Sequence, residues 1–417
     1  MEISRSDYIS RLKSKQGNRL VKIITGVRRC GKTYLLFTLF KNWLIANGVE
    51  ENHIISVALD DFKYRKLLDA EALYDYVINH ILDDQRHYIL LDEIQLVSGF
   101  ESVLNGFLHI PQADVYVTGS NSKFLSSDII TEFRGRGDEI RVQPFCFAEY
   151  YSAVGGDVQQ AWSQYCHYGG MPFTLQMEDA QEKESYLKQL FEQVYISDII
   201  NRHHLKGKAE IGELTNVIAS SIGSLTNTRR IANTFESVCQ MKLSQNTINS
   251  YLDYLEDSFL IHKAHRYDVK GRKYIGTPLK YYFTDIGLRN ARLNFRQQEE
   301  THIMENIIYN ELLRRQFSVD VGVVQVPQKD ETGKYVRKSL EVDFVANKGS
   351  RRYYIQSALE LGTPEKKHQE AQSLMKIDDS FRKVIIQKGI TEAWHDDNGI
   401  LIIGLFDFLL NPESIDW

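Results

Sequence analysis

The chain has 417 residues, of which 43% are hydrophobic and 25% are charged, and its formal net charge is −5. This composition is typical of a globular protein with several domains, and no apolar run reaches the roughly 18 residues that a membrane helix needs. The opening "MEISRSDYISRLKSKQ" lacks an apolar signal-peptide core, so we expect a cytoplasmic protein without membrane contact. Four scattered cysteines without a Cys-x-x-Cys pair indicate neither a disulfide framework nor a zinc site.

The first strongly patterned stretch is a strand, a glycine-rich loop and a helix in succession. Leu20 to Thr25 ("LVKIIT") predict a buried strand, "GVRRCGKT" matches G-x-x-x-x-G-K-[ST], and apolar residues at helical spacing follow from Leu35 to Leu44. In such a loop backbone N–H groups surround phosphates, Lys32 supplies positive charge, and Thr33 offers a hydroxyl to Mg²⁺. The sequence therefore predicts a site for ATP and Mg²⁺. The predicted nucleotide-binding residues are Gly26, Val27, Arg28, Arg29, Cys30, Gly31, Lys32, Thr33 and Tyr34.

Two later strands are predicted to end in polar side chains. The strand from His87 to Leu91 ends in Asp92 and Glu93, so we expect Asp92 to bind Mg²⁺ and Glu93 to deprotonate the attacking water. The stretch "DVYVTGSNS" predicts another strand, and Ser120 or Asn121 after it can sense the γ-phosphate beside Glu93. A plain Ser/Asn turn is the alternative interpretation.

A glycine-flanked loop, "TEFRGRGDEIRVQPF", supplies Arg134 and Arg136. An arginine near this point can stabilise the charge of a phosphoryl-transfer transition state. We favour Arg136 for this role, either within its own chain or on a neighbouring subunit of a homo-oligomer. A surface arginine is the alternative.

Four stretches in combination resemble a known family: "TGVRRCGKT", "LLDEIQ", "TGSNSKFLSSDIITEFRGRGDEIRVQPFCFAEYY" and "YGGMPF". They are similar to prokaryotic P-loop ATPases of the AAA type, which have relatives among archaeal and bacterial regulatory ATPases. The resemblance covers nearly the whole chain. It implies an α/β fold with a parallel-sheet ATPase core over residues 1–150, a helical lid over 151–205, and a C-terminal domain of unassigned role.

Residues 206–295 change to short helices followed by a hairpin. Residues 202–296 hold fifteen Lys and Arg against eight Asp and Glu, and a helix predicted to begin at Ser244 precedes a basic hairpin turning at Lys270-Gly271. This order indicates a winged helix, with its helix and wing contacting DNA. Structural lids and protein-contact modules share the layout, so both alternatives stay open. The candidate DNA contacts are Asn246, Asn249, Arg272 and Lys273.

Residues 296–417 predict a helix that carries Glu305, a strand, and a hairpin turning at Asn347 to Ser350. The turn predicts a register in which Asp343 lies opposite Tyr354 and Glu341 lies opposite Gln356. One face of the hairpin then carries Glu341, Asp343, Gln356 and Ala358.

This order resembles the PD-(D/E)xK nuclease fold. The resemblance implies that Glu305 and Asp343 correspond to metal-site acids, that Gln356 stands where a glutamate or glutamine is found, and that Ala358 replaces the lysine. In some members the basic residue has moved to the following helix, where Lys366 and Lys367 stand here. We expect a nuclease-like α/β domain that binds DNA or protein without cutting.

Together these features predict an ATP-hydrolysing AAA-type protein that acts on DNA. One alternative is a switch whose oligomerisation and protein partner are controlled by ATP. Another is an ATP-regulated, metal-dependent nuclease.

Overall fold

A computed structural model describes residues 3–119, 135–205, 207–329, 333–389 and 392–417. The chain divides into two compact units. Unit 1 runs to Phe145 and adds the short segments Met171–Gln176 and Asp257–Phe259, and unit 2 comprises the remainder. Within the described ranges no helix combines the length and the apolar character required to cross a membrane.

Unit 1 contains a parallel sheet with five described strands. In chain order they are β1 (Val21–Thr25), β2 (Ile54–Ala58), β3 (His87–Asp92), β4 (Ala113–Thr118) and β5 (Gly137–Arg141). Their order in the sheet is β2-β3-β4-β1-β5, with parallel pairing throughout. Because helices cover the faces of parallel sheets, every residue of β1 and β3 is buried. The predicted parallel-sheet core is confirmed.

The helices of unit 1 pack their apolar faces against the sheet and form a hydrophobic core with it. They are α1 (Ser6–Ser14), α2 (the consecutive stretches Lys32–Tyr34, Leu35–Phe40 and Lys41–Ala46), α3 (Ala70–Ile78) and α4 (Phe100–Phe107). Leu73 of α3 and Phe107 of α4 pack in one cluster with Leu91 and Val117. The first residue of α2 is Lys32, so the phosphate loop fills the whole connection from β1 to this helix.

Unit 2 begins with helices in the region predicted as a lid. They are α5 (Phe147–Val154), α6 (Val158–Tyr168), α7 (Ala180–Gln189) and α8 (Ser197–Arg202), with a π-helical stretch at Leu190–Ile196 between the last two. Asp157 and Asp179 cap α6 and α7, and each carboxylate accepts the backbone N–H three residues later at 2.9 Å.

The basic segment forms three helices and a hairpin. These elements are α9 (Lys208–Ser220), α10 (Thr228–Ser237), α11 (Gln245–Asp257), β6 (Ile261–Asp268) and β7 (Lys273–Phe283), followed by α12 (Ile286–Arg292). Ser244 caps α11, because its Oγ accepts the N–H of Thr247 at 3.0 Å, as predicted. Ile248, Leu252 and Leu255 form the buried side of this helix.

The remaining elements of unit 2 complete a mixed sheet. They are α13 (Glu300–Arg314), β8 (Ser318–Lys329), β9 (Tyr335–Lys348), β10 (Arg351–Ala358), α14 (Pro364–Met375), β11 (Arg382–Gln387), β12 (Trp394–His395), β13 (Leu401–Gly404) and α15 (Leu405–Leu410). The described sheet has the order β12-β13-β11-β10-β9-β8-β6-β7.

The hairpin predicted as a wing is part of this sheet. β6 pairs in parallel with β8, from Arg266 opposite Val321 to Asp268 opposite Val323. The predicted division between residues 295 and 296 therefore differs from the structure, since it cuts through one sheet. A hairpin looks self-contained in sequence, whereas its parallel pairing with a strand some 50 residues later leaves no local pattern.

The predicted register of the β9–β10 hairpin is wrong by two residues. Tyr354 pairs with Val345 and Ile355 with Phe344, which sets Asp343 level with Gln356. A shift of two residues keeps each side chain on its original face, so Asp343 and Gln356 still share a face. The turn lies one residue further along the chain than predicted, with Lys348 paired to Arg351 around Gly349 and Ser350, and this displacement accounts for the shift.

Candidate nucleotide site

The phosphate loop is built around two glycines with left-handed backbone. Gly26 has φ +137° and Gly31 has φ +96°, which side chains with a Cβ rarely adopt. A Cβ on Gly26 would lie 2.0 Å from the carbonyl oxygen of Val142, so this position requires glycine. The side chains of Val27 and Cys30 are fully buried, and these residues can therefore offer a ligand only their backbone.

Lys32 is buried at the start of α2, with 5% of its surface exposed. Its ammonium group donates to the carbonyl oxygens of Gly26 and Val27, each at 3.0 Å. Neutral carbonyl oxygens orient the ammonium without cancelling its charge. The ammonium group is therefore held by the loop that is predicted to surround the phosphates.

Thr33 and Asp92 meet directly, although 59 residues separate them in sequence. The hydroxyl of Thr33 donates to Asp92 Oδ2 at 2.7 Å. The hydroxyl of Thr118, the last residue of β4, donates to the other carboxylate oxygen of Asp92. Both oxygens of this buried carboxylate are thus oriented by hydroxyl groups from the loop and from the neighbouring strand.

Burial raises the pKa of Asp92, while the hydrogen bonds from Thr118 and Thr33 oppose that rise. Hydroxyl and carboxylate oxygens are the ligands that Mg²⁺ prefers, and here one of each lies in direct contact. The donor set therefore fits a magnesium ion, with Thr33 and Asp92 as the protein ligands.

Glu93 follows β3 in a strained conformation, with φ +53°. Its backbone N–H donates to Thr118 Oγ1 at 3.0 Å, and the side-chain amide of Gln95 donates to its carboxylate. The strain and these two contacts turn Glu93 out of the line of the strand that carries Asp92. The sequence prediction did not single out Thr118 and Gln95, the two residues that make these contacts with Glu93. Thr118 could have been recognised from the sequence, because it is a polar residue at the end of the strand that became β4.

The two predicted γ-phosphate sensors, Ser120 and Asn121, lie outside the described residues, as does Arg134. Arg136 is described, and it immediately precedes β5 beside the first residue of β1, since Val21 N–H donates to its carbonyl at 2.9 Å. The phosphate loop follows the opposite end of β1. Arg136 therefore lies at the end of β1 opposite the phosphate loop of its own chain, and its role in hydrolysis, within the chain or on a neighbouring subunit, stays a prediction. Its guanidinium contacts Asn105 Oδ1 at 3.1 Å.

The four predicted DNA contacts occupy exposed positions of unit 2. Asn246 and Asn249 lie on the first turns of α11, and Arg272 and Lys273 lie at the tip of the β6–β7 hairpin. Lys263, by contrast, is held by α11, since its ammonium contacts the carboxylates of Asp253 and Glu256.

The predicted second acid site is brought together, but with a lysine among its acids. Asp343 and Gln356 are neighbours, with the Asp343 N–H 3.4 Å from Gln356 Oε1. Glu305 instead contacts Lys280 of β7 at 2.8 Å, a residue that the sequence did not single out. Burial, followed by the charge of Glu305, raises the pKa of Asp343.

Comparison with known proteins matches the part of the chain that carries this site to a known domain. Residues 18–151 match the model of an AAA domain, and residues 159–299 match a domain of unknown function. An uncharacterized protein of Haemophilus influenzae is 33% identical over 98% of both chains. One of Methanocaldococcus jannaschii is 27% identical over 92% of this chain and 86% of its own. The Aeropyrum pernix ORC1 protein, solved in complex with DNA, is 12% identical over 70% of this chain and 93% of its own, with a TM-score of 0.29.

Proposed function

The chain belongs to the family of AAA-domain proteins that includes its Haemophilus influenzae relative, and we propose that it binds Mg²⁺·ATP and hydrolyses it. The observation that carries this proposal is the 2.7 Å hydrogen bond between Thr33 Oγ1 and Asp92 Oδ2. It joins the hydroxyl at the end of the phosphate-loop motif to the acid at the end of β3. One hard cation can contact both groups.

Each residue has a defined part in the proposed reaction. The backbone of the loop and the Lys32 ammonium bind the phosphate groups. Thr33 and Asp92 would hold Mg²⁺, which neutralises charge on the β- and γ-phosphates. Glu93 orients the attacking water and accepts its proton as general base, with its carboxylate held by Gln95.

Replacing Lys32 by alanine tests the site. Removing the positive charge beside the phosphates should lower the rate of ATP hydrolysis by about 10²-fold or more, the scale of losing one preorganised electrostatic contact. The matched control is Lys66→Ala, which removes an exposed lysine of unit 1. Steady-state phosphate release with and without Mg²⁺ measures both. Undiminished, Mg²⁺-independent release by the Lys32→Ala protein would contradict the proposal.

We also propose that unit 2 contacts DNA through α11 and the β6–β7 hairpin as a winged helix. The support is the exposure of Asn246 and Asn249 on α11 and of Arg272 and Lys273 on the hairpin, within a segment that is basic in an acidic chain. A helix can read base edges while a basic hairpin neutralises phosphates.

The DNA proposal is tested by binding across a salt series. Because each phosphate contact releases counterions, Arg272→Ala/Lys273→Ala should reduce the slope of log K against log salt by up to about 1.8. As a control, Arg65→Ala/Lys66→Ala removes an exposed arginine and an exposed lysine from unit 1, and it should leave the slope unchanged. Duplex and branched DNA that neither bind nor stimulate ATP hydrolysis would leave the protein-partnered switch as the better account.

A further inference from the structure

A second charged site lies in the wall of a cleft of about 1090 Å³ in unit 2. The ionisable side chains of this wall include Lys280 from β7, Glu305 from α13, and Glu341 and Asp343 from β9. We call these four residues the acid cluster. Three carboxyl groups and one ammonium group thus meet where the resemblance to PD-(D/E)xK nucleases implies a divalent metal ion.

Lys280 is bound to two of the three acids. Its ammonium lies 2.8 Å from Glu305 Oε1 and 2.7 Å from Glu341 Oε1. The lysine side chain is only 4% exposed and that of Glu305 only 8%. The hydroxyl of Tyr282 donates to the same Glu305 oxygen at 2.5 Å. The buried acid therefore already has a cation and a hydrogen-bond donor on one oxygen.

Asp343 and Gln356 likewise already interact with the protein, in their case through hydrogen bonds with backbone N–H groups. Asp343 Oδ2 accepts the backbone N–H of Ser357 at 2.8 Å, and Gln356 Oε1 lies 3.4 Å from the backbone nitrogen of Asp343. These contacts lie between β9 and β10. Of the three residues that the resemblance assigns to a metal, one is bound to an ammonium group and two are bound to backbone.

This donor set does not fit a divalent ion beside the lysine. A metal ion in contact with Glu305 and Asp343 would lie close to the buried ammonium group of Lys280. Like charges repel most strongly where water is excluded. A buried carboxylate must also be compensated by a cation or by hydrogen bonds, and here Lys280 supplies the cation.

We infer that Lys280 is the built-in cation of the acid cluster and that its ammonium group excludes Mg²⁺ and Mn²⁺ from these carboxylates. The positive charge missing at Ala358 enters the cluster from β7. Because it binds the carboxylates directly, it replaces the metal as their counter-ion. The cluster thereby joins β7, α13 and β9 by charge and generates no metal-bound water.

Mn²⁺ binding by the full chain without nucleotide tests this inference. The electron paramagnetic resonance signal of free Mn²⁺ is titrated with wild type, Asp343→Asn, Lys280→Met and Lys280→Met/Asp343→Asn. Wild type and Asp343→Asn should bind equally, since neither cluster takes the ion. Lys280→Met should gain about one Mn²⁺ per chain, because the freed oxygens are ligands of the preferred type, and the double variant should lose it.

Lys263→Met is the matched control. Lys263 is another lysine of this sheet that contacts two carboxylates, those of Asp253 and Glu256, but these acids are 59% and 40% exposed. Its removal leaves solvated acids without a buried ligand set, so Mn²⁺ binding should not rise. A site in wild type that disappears in Asp343→Asn would overturn the inference. So would a folded Lys280→Met protein that gains no ion.

Charge balance gives a second readout, which applies even where Lys280→Met folds poorly. Removing the ammonium alone leaves buried acids uncompensated, whereas Lys280→Met/Glu305→Gln removes one charge of each sign. The double variant should therefore have a higher Tm than Lys280→Met. A double variant no more stable than the single one would also overturn the inference, because Lys280 would then not compensate Glu305.

Discussion

The nucleotide site and the acid cluster each contain a buried lysine and acidic residues, but the two lysines are bound differently. Lys32 donates to carbonyl oxygens of its own loop, at 3.0 Å. Lys280 contacts the carboxylates of Glu305 and Glu341, at 2.8 and 2.7 Å. In the first arrangement the oxygens of Asp92 are oriented by uncharged hydroxyl groups, which do not repel a metal ion. In the second arrangement an ammonium group already contacts two of the acids, so the partner of the lysine decides what an acid can bind.

The largest effect is expected at Gly26, where the nucleotide site depends on backbone alone. A Cβ in Gly26→Ala would collide with the Val142 carbonyl and occupy a strained φ. The free energy of unfolding should fall by about 3 kcal/mol or more, with loss of ATP hydrolysis. Gly48→Ala, which has positive φ but no atom within 4 Å, should retain hydrolysis. Denaturant unfolding and phosphate release measure both variants, and an active, stable Gly26→Ala protein would contradict this loop geometry.

Asp285 is a third kind of buried acid, whose carboxylate accepts hydrogen bonds from backbone N–H groups. Gly170 and Leu288 donate to its carboxylate at 2.7 and 2.9 Å, yet burial raises its pKa to about 6. The folded chain thus keeps a proton up to about pH 6 that the unfolded chain releases near pH 4. Stability should therefore fall as the pH rises through this window, by roughly 1 kcal/mol per pH unit.

Asp285→Asn removes this titration, and its unfolding free energy should lack that component of the decline. Denaturant unfolding at a series of pH values compares the two slopes. Equal slopes for wild type and Asp285→Asn between about pH 4 and pH 6 would mean that burial does not govern this carboxyl group.

Thr118 shows a further difference between the two sites. In the nucleotide site a hydroxyl group contacts the buried acid, whereas in the acid cluster an ammonium group does. Thr118→Val preserves shape but removes the donor to Asp92 and the acceptor for Glu93 N–H. The Mg²⁺ concentration needed for half-maximal hydrolysis should rise by about 10–100-fold, the usual effect of losing a partner of a metal ligand. Thr118→Ser keeps the hydroxyl and should behave as wild type. An unchanged Mg²⁺ requirement in Thr118→Val would show that Thr118 does not support Asp92 as a Mg²⁺ ligand.

The smallest effect is expected at Arg136, which lies away from the phosphate loop of its own chain. Its exposed contact with Asn105 is a surface hydrogen bond, so Arg136→Ala should change hydrolysis by dilute protein by no more than about twofold. A larger loss that grows with protein concentration would instead assign the arginine to a neighbouring subunit. The rate is measured across a protein dilution series.

The sequence predicted best what is encoded in short contiguous stretches. The phosphate loop, the acids after β3 and the helix cap at Ser244 each follow from residues within one turn or one strand end. The hairpin of β9 and β10 was recognised too, but its register depended on the exact turn and was wrong by two residues.

What the sequence could not predict depends on pairing between distant segments. The parallel contact of β6 with β8 and the approach of Lys280 to Glu341 join segments about 60 residues apart without a local signal. Thr118 is intermediate, because its place at a strand end is visible in the sequence whereas its contact with Asp92 requires the strand order.

If Glu93 is the general base of an ATPase site, Glu93→Gln should differ sharply from the exposed Glu71→Gln, and this pair of variants is measured first. ATP binding and phosphate release are measured on the same samples. Glu93→Gln should still bind ATP while its turnover falls by about 10²–10⁴-fold, and Glu71→Gln should match wild type. Turnover by Glu93→Gln equal to that of Glu71→Gln would contradict the proposed mechanism.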